Sequence, residues 1–82
     1  MEKTPVSPGT WNEKAITSVH ELGTAVREVR KGQGMTQEDI SGLAGFGNRF
    51  IIDLEHGKET VQMQKVIDVL GLLGLELVIR KA

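Results

Sequence analysis

A chain of 82 residues makes one domain, or a domain with a loose tail, and buries only a modest core by itself. It contains no cysteine, which excludes disulfides and thiolate zinc sites as supports for the fold. Ten Lys and Arg against eleven Asp and Glu leave a formal charge of -1, well short of the basic balance usual for phosphate binding, so what counts is where the cations sit. No run approaches the roughly 20 apolar residues needed to cross a bilayer, and no apolar run precedes Pro5 as in a signal peptide. The expectation is a soluble, cytoplasmic protein with no membrane partner.

Residues 1–17 hold both prolines, Gly9 and several small polar residues without a clear period. They read as a flexible arm with Trp11 as its one large apolar anchor. Ser18-Val-His-Glu21 has the form of a capping box that opens a first helix. Leu22, Val26 and Val29 follow at the spacing of one buried helical face, and Gly32-Gln-Gly34 ends it. Thr36-Gln-Glu-Asp39 repeats the capping pattern, with Asp39 in place of the usual glutamate and therefore a shorter reach. This second helix runs to about Ala44. Gly45 then suits a left-handed turn. A third helix covers about Gly47 to Glu55 and ends near Gly57, with Phe46, Ile51 and Leu54 towards the core. A fourth runs from about Gln62 to Leu73, with Met63, Val66, Ile67, Leu70 and Leu73 on its apolar stripe.

After Gly74 the period changes to two. Leu75, Leu77 and Ile79 alternate with Glu76, Val78 and Arg80, a strand pattern that Val78 partly spoils. A lone strand leaves its backbone groups without partners, and no second strand follows. Pairing with the same strand of a second copy across a two-fold axis satisfies them. The other reading is an apolar tail folded onto its own subunit. The expected architecture is an all-α helix-turn-helix bundle of four to five helices with a C-terminal β-strand pairing across a dimer. The domain spans 18–74, preceded by the 1–17 arm and followed by the 75–82 strand.

Thr36-Gln37, Ile40, Ala44-Gly45, Ile51, Leu54-Glu55 and Gly57 match the helix-turn-helix pattern of the Xre/Cro/phage-repressor family, which the chain resembles from about Leu22 to Leu73. The size and the terminal strand also look like antitoxins of the HipB type, including the Y4mF group. Those proteins bind their own operator as dimers and bind a HipA-like serine/threonine kinase toxin. Several positions depart from the pattern: Ser41 stands for a small alanine, Gly47 for a capping serine or threonine, Phe50 and Ile52 are unusually apolar, and Asp53 is acidic.

The resemblance implies that Thr36 and Gln37 contact phosphate at the start of the second helix, where free helix-terminal amides also attract an anion. It places Asn48 and Arg49 at base edges. Asparagine can pair with adenine and arginine with guanine, each good pair contributing about 1–3 kcal/mol of discrimination. Asp53 either accepts from cytosine N4 or holds Arg49 one turn back. Lys58 reads as a phosphate contact or as a solvated surface lysine. Arg30 and Glu55 occupy positions that form a structural salt bridge in the family. Phe50 and Ile52 either touch DNA, Phe50 at a thymine methyl, or pack against the core or a neighbouring subunit.

The expected function is a dimeric transcriptional repressor on a palindromic double-stranded operator, and the antitoxin of a HipA-like kinase. The alternative is a protein-binding module with the same fold and little DNA binding, favoured by the charge balance, Asp53, Phe50 and Ile52. His20 and His56 lack motif partners, and there is no P-loop, H-E-x-x-H or cysteine nucleophile. Neither an enzyme nor a metal or cofactor is expected.

Overall fold

Ser18 stands in extended backbone, and its hydroxyl accepts from the Glu21 amide at 3.1 Å, which starts α1 (Val19–Gly32). The computed structural model describes residues 12–82; Trp11 and the rest of 1–11 lie outside that range. Residues 12–17 are exposed and have neither helix nor strand. The expected return bond of the first capping box goes one residue further back. Glu21 Oε1 accepts from the Thr17 amide at 2.7 Å and the Thr17 hydroxyl at 2.8 Å rather than from Ser18. These two bonds, the amide first, hold the Glu21 carboxyl below its ordinary value.

Thr36 caps α2 (Gln37–Ala44), and here the box is complete. Its hydroxyl accepts from the Asp39 amide at 3.0 Å and its own amide donates to Asp39 Oδ2 at 2.9 Å, so the shorter aspartate does reach. Gly45 follows at φ 80°, a left-handed conformation that ends α2 and redirects the chain. Gly47 is the extended N-cap of α3 (Asn48–Glu55). Gly57, at φ 79°, closes that helix, with its own amide on the Leu54 carbonyl and the Lys58 amide on the Asp53 carbonyl, the paired bonds of a Schellman end. α4 (Met63–Leu72) completes the bundle.

The core draws on all four helices: Val26 and Val29 from α1, Ile40 from α2, Ile51 and Leu54 from α3, Val66, Val69 and Leu70 from α4, and Leu73 just beyond it. Leu22 and Phe46 are half-buried against it. The stripe expected on α4 is turned. Val69 is fully buried, whereas Met63 is 50% and Ile67 41% exposed. At about 100° per residue, Val66, Val69, Leu70 and Leu73 share one face, with Met63 and Ile67 on one flank and Leu72 on the other. The helix is apolar over more than one face, so the monomer core covers only part of it. The Gln33 side chain donates to the Leu73 carbonyl at 2.8 Å and ties the end of α1 to the end of α4.

α1 crosses the end of α3 at very close range. A methyl group on Gly23 would collide with the Leu54 carbonyl oxygen and lie 2.9 Å from that of Glu55. Gly57 meets the backbone of His20 in the same crossing, where a Cβ would be 2.7 Å from His20 Cα.

The strand expected over 75–80 is not present. No strand occurs among the described residues, and Leu75 to Ala82 has neither helix nor strand. A strand exists only with a hydrogen-bonded neighbour, and none of the described segments of the chain pairs with this one. Leu75 is packed against the core, but Leu77 and Val78 are largely exposed and Ile79 is 97% exposed. Arg80 meets Glu13 in an exposed ion pair at 2.7 Å.

Candidate nucleic-acid interface

The turn at Gly45 sets the first residues of α3 at the surface beside α2. Asn48 is half-buried, and its Oδ1 accepts from the Ser41 hydroxyl at 3.1 Å. Arg49 points outward, with 81% of its side chain exposed. Its Nε lies 3.2 Å from Asp53 Oδ1, and Lys58 Nζ lies 3.4 Å from Asp53 Oδ2. Asp53 therefore sits between two cations and neutralises part of each. The arrangement favours its reading as a holder of Arg49 over that of a free acceptor for cytosine. Exposed pairs of this kind contribute little stability but restrict where the cations point.

The start of α2 forms a second cluster. Thr36 is exposed, and Gln37 is half-buried with its amide donating to Glu55 Oε1 at 3.1 Å. Glu55 is in turn gripped by Arg30, with Nε 2.6 Å from Oε2 and Nη2 3.0 Å from Oε1. The third guanidinium nitrogen, Nη1, donates to the Met35 carbonyl at 2.7 Å. Arg30 and Glu55 are both buried, so each charge depends on the other. The hydrogen bond that Arg30 donates to Glu55 raises its pKa above the ordinary guanidinium value, against the opposing effect of burial. Arg30 is thus a strut from α1 through the end of α3 to the α2 start. Gln37 keeps a second N–H that Glu55 does not use.

Phe50 does not project as a free recognition side chain. Its ring meets Phe46 edge-on, with centroids 5.2 Å apart, and Lys65 Nζ lies 5.2 Å and 5.7 Å from the two ring centres. The cluster joins α3 to α4 and is worth about 0.5–1.5 kcal/mol for the aromatic pair beyond its burial. Ile52 is half-buried. Among the described residues, no group of three or more His, Asp or Glu side chains is placed to hold a metal ion, and no helix is long and apolar enough to cross a membrane.

Three participants escaped the sequence reading. Ser41 was only a mild departure from alanine, yet it touches Asn48. Lys65 gave no signal, because a lysine on a helix is ordinarily solvated. Gly23 gave no decisive one either, since Gly42 and Gly71 also lie inside helices and have open space around them.

No family model matches the chain. A search of curated proteins finds a relative in Sinorhizobium fredii (strain NBRC 101917 / NGR234), described as the uncharacterized HTH-type transcriptional regulator y4mF. It is 49% identical over 61 residues, which span 74% of this chain and 80% of the relative. The chain belongs to this family of helix-turn-helix transcriptional regulators. Solved structures agree on the regulator's fold. The HipB–O4 20mer complex superposes with a TM-score of 0.79 at 23% identity, covering 85% of this chain and 99% of that one. The HipA–HipB–O2–O3 complex gives 0.78 at 22% identity, covering 84% and 97%. At these identities the likeness is one of fold: four helices, with no strand among the described residues, arranged as in those structures.

Proposed function

We propose that this regulator is a sequence-specific DNA-binding repressor that acts as a homodimer on a palindromic operator, and that it is the antitoxin of a HipA-like serine/threonine kinase. The observation that carries the reading is the outward Arg49 beside a half-buried Asn48 at the start of α3, on a helix locked to α1 by the Arg30–Glu55 pair. A rigid body that presents a donor fork and an amide at the N-terminal end of its second motif helix suits the major groove. Asn48 and Arg49 are assigned to base edges. Thr36, Gln37 and Lys58 are assigned to phosphates, and Asp53 to orienting Arg49 and Lys58.

The apolar residues left exposed on α4 and after it, Met63, Ile67, Leu77 and Ile79, support a second copy as the cover. Residues 75–80 would pair with their counterpart across a two-fold axis as two antiparallel strands. Two α3 helices would then enter successive major grooves about 34 Å apart. The kinase assignment is supported by the fold shared with HipB, which one of the similar structures contains together with HipA.

Titration of the purified protein with the DNA upstream of its own gene, and with scrambled duplex, at several salt concentrations tests the repressor. Tight binding that prefers the upstream sequence and weakens steeply with salt supports it. Absence of binding at micromolar protein in low salt would leave the protein-binding module as the better reading. Co-purification with a kinase-like protein encoded next to this gene tests the antitoxin assignment separately.

A further inference from the structure

Ser41 is a buried polar residue whose hydroxyl lies between two acceptors on different helices. The Gln37 carbonyl oxygen, one turn back in α2, is 3.0 Å away, and Asn48 Oδ1, at the start of α3, is 3.1 Å away. A serine hydroxyl has one hydrogen, so it donates to one of these two acceptors at a time, and it tethers Asn48 when that hydrogen goes to Oδ1 rather than to the Gln37 carbonyl. The contact to the carbonyl one turn back is an ordinary one for serine inside a helix. The contact to Asn48 is not, because it crosses from one helix of the motif to the other.

The consequence falls on Asn48. A side-chain amide free to flip by half a turn offers a donor or an acceptor outward with equal ease, and so discriminates poorly between bases. When the Ser41 hydrogen goes to Oδ1, that oxygen is held inward and Nδ2 is left to turn outward. We infer that Ser41 is a positioning residue for base reading: it makes Asn48 a directed donor that favours a base edge presenting an acceptor over the cytosine amino group. Purine N7, guanine O6 and thymine O4 are such acceptors in the major groove, whereas the cytosine edge presents a donor. The inference rests on the assignment of Asn48 to a base edge made above. It adds that the selectivity of Asn48 originates in α2, at a position the family pattern fills with alanine.

Selection of binding sequences from a random duplex pool, run in parallel with wild type, Ser41→Ala, Asn48→Ala and the double variant, tests it. Wild type is expected to disfavour cytosine at the position read by Asn48 by about fivefold, the worth of one net hydrogen bond. Ser41→Ala should lose that preference at the one position that Asn48→Ala also relaxes, and the double variant should read like Asn48→Ala alone. Unchanged preferences in Ser41→Ala would overturn the inference, as would a loss spread evenly over every position. If wild type enriches no motif at all, the DNA-reading assignment fails first and this inference fails with it.

A readout without DNA separates those cases. In nitrogen-15 relaxation of the free protein, the Asn48 side-chain amide should be nearly as rigid as the backbone in wild type and distinctly more mobile in Ser41→Ala. Equal mobility in the two proteins would show that the tether does not exist, whatever the DNA experiment reports. A melting curve of Ser41→Ala close to wild type completes the control, since alanine is at home inside a helix.

Discussion

Gly23 in α1 lies directly on the backbone carbonyl of Leu54 in α3, with no side chain between the two helices. The contact brings α1 to the end of α3 at the level where Arg30 engages Glu55. It is a packing requirement for a hydrogen atom where any other residue carries carbon. Gly23→Ala should therefore destabilise the protein by about 1–3 kcal/mol, the range for overfilling a packed contact. At this chain length each lost kcal/mol lowers the melting temperature by about 4–8 °C. Gly42→Ala, in α2 with open space around it, should move the other way by about 0.5–1 kcal/mol. Melting curves of the two variants followed by circular dichroism check the pair, and a Gly23→Ala variant that melts with wild type would contradict the close crossing.

Glu55→Gln should cost about 3–5 kcal/mol, because it leaves the buried Arg30 guanidinium without a countercharge. Replacing both members with apolar residues, as in Arg30→Met with Glu55→Leu, should be much milder than the single change. Urea midpoints for the two singles and the double give the coupling directly. Additive losses would mean that the pair does not act as a unit.

Arg49→Ala should weaken operator binding while leaving the melting curve within about 0.5 kcal/mol of wild type, since the side chain is largely exposed. A loss of equal size on scrambled duplex would mark Arg49 as a phosphate contact. Asp53→Asn removes the carboxylate shared by Arg49 and Lys58. Its binding to scrambled duplex should rise and become more steeply salt-dependent, as two more cations become free to displace counterions.

Glu21 should titrate below the ordinary glutamate range, because the Thr17 amide and hydroxyl both favour its charged form. A carboxylate with a lowered folded-state pKa contributes stability above the ordinary range, and that contribution is lost as pH falls through the lowered value. Carbon-13 shifts of the Glu21 carboxyl across an acid titration read the midpoint. Thr17→Ala should raise it only part of the way to the ordinary value, since the backbone bond remains.

Val78→Pro tests the proposed intersubunit ribbon, which it should abolish, because proline removes a ladder donor. Sedimentation velocity should then show a smaller species than wild type. A Val78→Pro variant that sediments as wild type would place the dimer contact elsewhere, on the exposed flanks of α4 for example.

Local chemistry made the helix-turn-helix readable. Thr36 and Asp39 announced a cap, Gly45 a left-handed turn and Gly57 a helix end, and each of these depends on residues within a few positions of one another. The rotation of α4 was harder to read. The apolar side chains of Met63, Val66, Ile67, Val69, Leu70, Leu72 and Leu73 fit more than one face, and only packing against α1, α2 and α3 selects Val69 over Met63 and Ile67. The Ser41–Asn48 contact and the Phe46–Phe50–Lys65 cluster were out of reach for a related reason. Each joins residues on different helices, and a sequence pattern carries no information about which solvated-looking side chain a neighbouring helix will meet. Residues 75–82 mark the remaining limit, since a period of two describes a strand only when something lies alongside it.

Asp53 supplies the interface with a built-in competitor. On the proposed assignment of Arg49 and Lys58 to DNA, an approaching phosphate competes with a carboxylate already lodged there at 3.2 Å and 3.4 Å. Bulk chromosome of arbitrary sequence offers only that exchange of one anion for another, whereas a matched site adds base contacts to it. A repressor built on that proposal would waste little of its copy number on the millions of wrong addresses in a genome, and could stay scarce and still find the right one.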